Sequence, residues 1–147
     1  MITTTTRADG SALQAPATEL ARSQKGSVLI EFAFVLPVFL LILFGVIFFS
    51  VALYNKTVLT MATREGARTG VVYVAGTNAN ATRISNATTA ATQLCQNNLI
   101  SFGDAMTASI DSTIAGDMLT VSANGVYDAF FIFPALPISA QTRMRLE

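Results

Sequence analysis

Residues 27–54 read SVLIEFAFVLPVFLLILFGVIFFSVALY, and a single carboxylate, Glu31, lies near the start of this apolar run. From Phe32 to Leu53 the run is interrupted only by one proline, one glycine and one serine. As a helix, this segment would reach roughly 33 Å at about 1.5 Å per residue, and the hydrocarbon core of a bilayer is about 30 Å thick. The sequence therefore predicts one helix that is long enough to cross a membrane.

Glu31 lies beside this run, and a carboxylate close to hydrocarbon costs about 2.5 to 3.5 kcal/mol on insertion scales. Such a group needs a cationic partner. The basic step Lys25-Gly26 comes shortly before it. If a peptidase cut the bond between Gly26 and Ser27, the new amino terminus of one copy could pair with Glu31 of a neighbouring copy. We predict Gly26 and Ser27 as a processing site and Glu31 as the residue whose charge is paired on assembly.

These residues carry a family resemblance. Lys25-Gly26 followed by SVLIEF resembles the processing site of type IV pilin-like precursors. The segment from Glu31 to Pro37, the apolar tract after it and the sequence REGAR at 64–68 resemble the TadE-like minor pilins, or pseudopilins, of tight-adherence (Flp/Tad) type IV pilus systems. The ending RMRLE at 143–147 is also similar. The likeness covers residues 26 to about 74 closely and the remainder only in layout.

The resemblance implies a minor pilin-like structural subunit that helps to assemble a pilus by priming, forming the tip or stabilising it. Its implied partners are a prepilin peptidase that cuts after Gly26, other pilin and minor pilin subunits, the inner-membrane assembly platform and the lipid bilayer. The implied location is the bacterial inner membrane, crossed once, with the leader in the cytoplasm and the head in the periplasm. Incorporation into the extracellular pilus is left open.

Two other functions fit the same residues. One is a single-pass, membrane-anchored periplasmic binding or scaffold module that keeps its leader and never polymerises. The other is a type II secretion pseudopilin. Ser27 favours the tight-adherence branch over the latter, because many of those subunits begin with Phe. A secretory signal cleaved after Ala52 is the weaker interpretation, since its apolar core would far exceed the ~7 to 15 residues of such signals.

The organisation predicted for the 147 residues is a cleaved leader (1–26), an apolar helix with an extension beyond the membrane (27–75) and a small head (76–147). Lys plus Arg and Asp plus Glu number nine each, so no nucleic-acid partner is indicated. The chain has no histidine, and its aspartates lack calcium-loop spacing. We predict no enzyme activity, no metal and no cofactor.

The head is predicted to be α+β. Residues from about 80 to 99 have helical periodicity, whereas 106–123 alternate apolar and polar residues around Ala115-Gly116-Asp117, as expected for a hairpin. Residues 138–146 alternate in the same way. The fold class is therefore a long N-terminal pilin-like helix followed by a second helix and an antiparallel sheet of about three strands.

The first helix carries two features relevant to packing. Pro37 either kinks the helix so that subunits can pack or is merely tolerated there. Ala62, Gly66 and Gly70 form a stripe of small residues that permits close approach, either to the head of the same chain or to another subunit. Tyr54, Val58, Met61, Ala62 and Val72 recur at near-helical spacing and suggest the packed face of this extension.

Two further features of the head have alternative interpretations. Phe130, Phe131 and Phe133 lie in a predicted loop and form either part of the core or an interaction surface for another subunit. Cys95 cannot form an internal disulfide because it is the only cysteine. A buried core position is favoured for it over an intermolecular bridge.

Overall fold

The computed structural model describes residues 17–102, 105–128 and 134–147, with only the backbone described before residue 26. Its elements in chain order are α1 (Ala17–Val71), α2 (Ala79–Asn98), β1 (Ala108–Ala115), β2 (Met118–Tyr127) and β3 (Leu136–Arg145). A long N-terminal helix, a second helix and a three-stranded antiparallel sheet confirm the predicted α+β class.

The chain divides into two compact units, Met1–Leu43 and Phe44–Glu147. The first contains the N-terminal part of α1, whose large apolar side chains from Val28 onward are exposed. The second contains the C-terminal part of α1 together with α2 and the sheet. The structural unit that holds the head thus begins inside the apolar run rather than after it.

The sheet has the order β1-β2-β3, and both pairings are antiparallel. The residues facing its core come into register across all three strands, as with Ser112, Val121 and Thr142. Side chains alternate between buried and exposed along β2 because successive residues of a strand point to opposite faces. The hairpin between β1 and β2 turns at Gly116, whose φ of 59° lies in the left-handed region that glycine adopts readily.

Both helices of the second unit contact the same face of this sheet. Along α1, Lys56 Nζ donates to the carbonyl oxygen of Ser139, and the hydroxyls of Thr63 and Thr142 lie 2.9 Å apart. Along α2, the hydroxyls of Thr88 and Ser112 lie 3.0 Å apart. The C-terminal part of α1 therefore follows β3, and α2 lies over β1.

The core is formed where these layers meet. Tyr127, Leu59, Leu119 and Val121 are its largest fully buried apolar side chains, and the helices contribute mostly alanines. Small side chains on the helices let the backbones lie close to the sheet. Further buried members of the core are Ala52, Ala62, Ala67, Ala87, Ala91, Cys95, Ala123 and Ile138.

The packed face of the α1 extension agrees only in part with the one that its apolar residues predicted, since Val58 and Ala62 are buried. Tyr54, Met61 and Val72 are 44%, 55% and 55% exposed, whereas the fully buried positions include Asn55 and Leu59. The closeness of the sheet explains this difference, because it favours small residues and one amide over bulky side chains. Helix α1 ends at Val71, whereas the segment predicted for the apolar helix and its extension ran to residue 75.

Candidate assembly and membrane interface

The predicted processing pair lies within α1. Gly26 has open space around it, because a Cβ built on it meets no atom within 4 Å. Ser27 is exposed. Among the described residues, no other part of the chain therefore packs against the bond between Gly26 and Ser27.

Glu31 is exposed on α1, and its sequence neighbours are large apolar side chains that are also exposed. Ile30 and Phe32 are 62% and 61% exposed, and Phe34 is 76% exposed. Within the part of the chain that the structure describes, no cation forms an ion pair with Glu31. The arrangement leaves one carboxylate on an apolar helix surface that needs covering by lipid or by other helices.

Helix α1 continues through Pro37 without interruption. Proline lacks a backbone N–H, so the carbonyl four residues earlier loses its usual helical partner at this point. Both interpretations of Pro37, a kink for packing between subunits and a merely tolerated proline, stay predictions.

The stripe of small residues faces the head of the same chain. A Cβ added at Gly66 would meet the Ala87 carbonyl oxygen at 2.7 Å and the Ala91 Cβ at 3.0 Å. One added at Gly70 would meet a methyl group of Leu119 at 2.5 Å. Ala62 is fully buried. In the folded chain Gly66 and Gly70 thus lie against α2 and β2, and Ala62 is buried in the same core.

The opposite side of this part of α1 bears the charged residues of the REGAR segment. Arg64, Glu65 and Arg68 are exposed and line an open groove of about 450 Å³ with Met61. Leu94 from α2 and Thr142 and Met144 from β3 complete the lining. Glycine thus faces inward and the charges face outward within one short segment of sequence.

The end of the head that lies beside the apolar run is fixed by two contacts. Phe48 stacks on Tyr127, with ring centroids 5.1 Å apart and an angle of 23° between the planes. Asn55 Nδ2 donates to the carbonyl oxygen of Ile100 at 2.7 Å, and the Ile100 N–H donates to Asn55 Oδ1 at 3.0 Å. We call this the proximal end of the head.

The opposite, distal end of the head is held by polar contacts. The Glu147 N–H donates to the Val71 carbonyl oxygen at 3.4 Å, and Arg83 donates to the backbone oxygens of Val72 and Glu147 at 3.2 and 2.9 Å. Arg145 and Asp117 form an ion pair of 3.7 Å at the same end of the sheet.

Asn55 and Arg83 were not selected from the sequence as important residues. Asn55 could have been found, because Ala52, Asn55, Leu59, Ala62 and Gly66 follow one another at spacings of three or four, which places the amide on the buried stripe. Arg83 gave no comparable signal. Its partners are carbonyl groups that only the tertiary fold brings together.

Of the remaining residues singled out from the sequence, the structure describes only Cys95. Phe130, Phe131 and Phe133, the predicted interaction surface, lie outside the described residues. Cys95 is 3% exposed in the core, and burial raises the pKa of its thiol above the ordinary value. Among the residues described, no cluster of three or more acidic, cysteine or histidine side chains could hold a metal.

Comparison with known proteins finds a similarity over part of the chain. A family model described as TadE-like protein matches residues 26–68, which confirms the resemblance over the segment from Gly26 to the REGAR segment. No curated protein and no solved structure matches the chain. Within the described part, α1 is the one helix long and apolar enough to cross a membrane, as a single-pass anchor requires.

Proposed function

We propose that this chain is a minor pilin-like structural subunit of a tight-adherence type IV pilus, matured by a prepilin peptidase that cuts between Gly26 and Ser27. Before assembly it is held in the bacterial inner membrane by α1, with its head in the periplasm. The observation that carries this proposal is the TadE-like match that begins at Gly26 and includes an exposed apolar run with Glu31 near its start.

The cut would supply a cationic partner for Glu31, which has none among the described residues. Hydrolysis of the bond between Gly26 and Ser27 leaves a positively charged amine on Ser27, four residues before Glu31 and thus roughly 6 Å away along a helix. When two helices stack with a small axial offset, the amine of one chain can reach the carboxylate of the next. In apolar surroundings this attraction is far stronger than in water, so the pair can set the register of assembly.

Assembly would also cover the exposed apolar surface of α1. The large side chains from Val28 to Phe49 are covered by lipid while the chain is in the membrane, and by neighbouring helices once it is withdrawn into a fibre. The head packs on its own part of α1, which leaves the N-terminal part available for other subunits and the assembly platform. The role is structural rather than enzymatic, and the subunit primes, caps or stabilises the fibre.

The test combines one cleavage measurement with two matched variants. The mature protein should begin at Ser27 in cells that have the cognate peptidase and keep the leader in cells that lack it. Glu31→Leu should insert into the membrane normally and abolish piliation, because removing one partner of a buried ion pair costs about 3 to 5 kcal/mol. Glu65→Leu is the control, since Glu65 is an exposed carboxylate on the same helix outside the apolar run.

Two results would contradict this function. A peptidase-independent amino terminus would remove the precursor step. Normal piliation in the Glu31→Leu strain would show that the carboxylate only lies at the membrane surface, which is what a membrane-anchored module that never polymerises predicts.

A further inference from the structure

The contacts at the proximal end determine how close the head lies to the membrane. Tyr127, the last residue of β2, stacks on Phe48, and Phe48 precedes the end of the apolar run at Leu53 by five residues. Five helical residues correspond to roughly 7 Å of axial rise. The folded head therefore begins alongside the apolar run and not above it.

Shifting α1 along the membrane normal does not remove the overlap between the head and the end of the apolar run. Residues 32–47, which separate Glu31 from Phe48, reach only roughly 24 Å as a helix. A hydrocarbon core of about 30 Å exceeds that length. Either Glu31 enters hydrocarbon or the proximal end of the head reaches the lipid, and burying an unpaired carboxylate is the costlier of the two.

The surface of the proximal end suits contact with lipid. Ile100 and Phe102 are 46% and 55% exposed, Val126 is 53% exposed, and Leu136 is 38% exposed although it pairs with the buried Tyr127. These four residues form what we call the apolar rim. Ile100 is bonded to Asn55, two residues beyond Leu53, and Leu136 pairs with Tyr127, which stacks on Phe48, so these two rim residues lie beside the end of the apolar run.

Charges near the apolar rim limit how deeply it can enter. Lys56 Nζ is bonded to the Ser139 carbonyl oxygen, and Asp128, which follows Tyr127, is exposed. Both groups are stable among lipid headgroups but not in hydrocarbon. In contrast, the exposed ion pair of Asp117 with Arg145 lies at the distal end.

We propose that the apolar rim is a second membrane contact, which inserts into the headgroup region of the bilayer beside α1 and holds the head against the lipid surface before assembly. This inference rests on the membrane anchor of the proposed function. The bilayer is the occupant because the apolar rim lies at the end of the head where the apolar run of α1 ends and the span emerges. Withdrawal into a fibre must then remove both contacts together.

The natural chain has no tryptophan, so single tryptophan variants can report lipid contact without background. Phe102→Trp reports on the apolar rim, and Val126→Trp reports on it from a different strand. Phe49→Trp, in the apolar run, reports on the anchor. Tyr73→Trp, 71% exposed and two residues beyond α1, is the control at the distal end. All four positions are exposed, so the substitutions leave the core unchanged.

The full chain is reconstituted in vesicles of phosphatidylethanolamine and phosphatidylglycerol whose acyl chains carry bromine near the headgroup end, and tryptophan emission is compared with that in unbrominated vesicles. We expect Phe102→Trp and Val126→Trp to lose emission to a degree comparable with Phe49→Trp and to emit at shorter wavelength than Tyr73→Trp, which keeps its emission.

If only Phe49→Trp is quenched, the anchor stands and the apolar rim is not in lipid, which overturns this inference alone. If Phe49→Trp is not quenched either, the chain is not anchored by α1, and both the inference and the proposed function are overturned. Quenching of Phe102→Trp but not Val126→Trp would also overturn the apolar rim as defined, because it would limit contact to a single loop.

Discussion

At the scale of single residues, buried polar groups hold the two ends of the head to α1. Asn55 is fully buried in a mostly apolar core, and its amide satisfies both the N–H and the carbonyl of Ile100. Arg83 does the same at the distal end for the backbone oxygens of Val72 and Glu147. Such groups are retained because buried backbone polar atoms need partners where no regular ladder supplies them.

Replacing Asn55 tests this role directly. Asn55→Leu keeps the approximate volume but leaves two backbone groups of Ile100 without a partner, so we expect a loss of about 1 to 3 kcal/mol in the free energy of unfolding. The measurement is denaturant unfolding of the full chain in detergent, followed by circular dichroism. Asn98→Leu, at an exposed position of α2, is the matched control and should change little. Equal midpoints for the two variants would rule out the proposed role of Asn55.

At the scale of elements, α1 contains two segments with different surfaces. Its N-terminal part exposes large apolar residues, while its C-terminal part places Gly66 and Gly70 against α2 and the sheet. The glycines permit that approach, because the Ala87 carbonyl oxygen lies where a Cβ of residue 66 would be. The REGAR segment therefore combines an inward glycine with outward charges.

Gly66→Ala should destabilise the head. The nearest atom is a backbone oxygen, which cannot rotate away, so α2 must shift at a cost of about 1 to 3 kcal/mol. The gain in helix propensity, up to about 1 kcal/mol, offsets only part of this. Thermal unfolding measures the difference, and Glu65→Ala, at the exposed neighbouring position, serves as the control. An unfolding temperature for Gly66→Ala equal to or above that of the control would refute close packing at this site.

The sequence predicted the positions of the helices and strands better than it predicted which of their faces are buried. Hydrophobic periodicity located α2 within one residue at each end and found all three strands, because each buries one face and leaves the other in water. Gly125 to Tyr127, expected in a loop, continue β2, since pairing with β3 extends the strand. The prediction of the packed face of α1 was partly wrong, since Met61 is exposed. The size of an apolar side chain does not reveal how closely a sheet approaches the helix.

At the scale of the whole molecule, the boundary of the head differs from a boundary drawn by composition. Composition places it after residue 75, where the apolar helix and its extension end. The compact unit instead begins at Phe44, because Ala52, Leu59 and Ala67 belong to the same core as the sheet. A head of about seventy residues would lack one of the two helices that pack on the sheet, and small domains bury too little apolar surface to lose that much.

This difference predicts the behaviour of two fragments. Residues 44–147 should unfold cooperatively in mild detergent, whereas residues 76–147 should show no cooperative transition and be digested rapidly by protease. The sheet of the shorter fragment would lose the cover that α1 gives to Leu119, Val121 and Tyr127 in the full chain. If the shorter fragment fails to fold because α1 is missing, adding a synthetic peptide of residues 44–75 should restore its protection against protease. Independent, cooperative folding of residues 76–147 would instead place the boundary where composition does and make α1 a tether rather than part of the head.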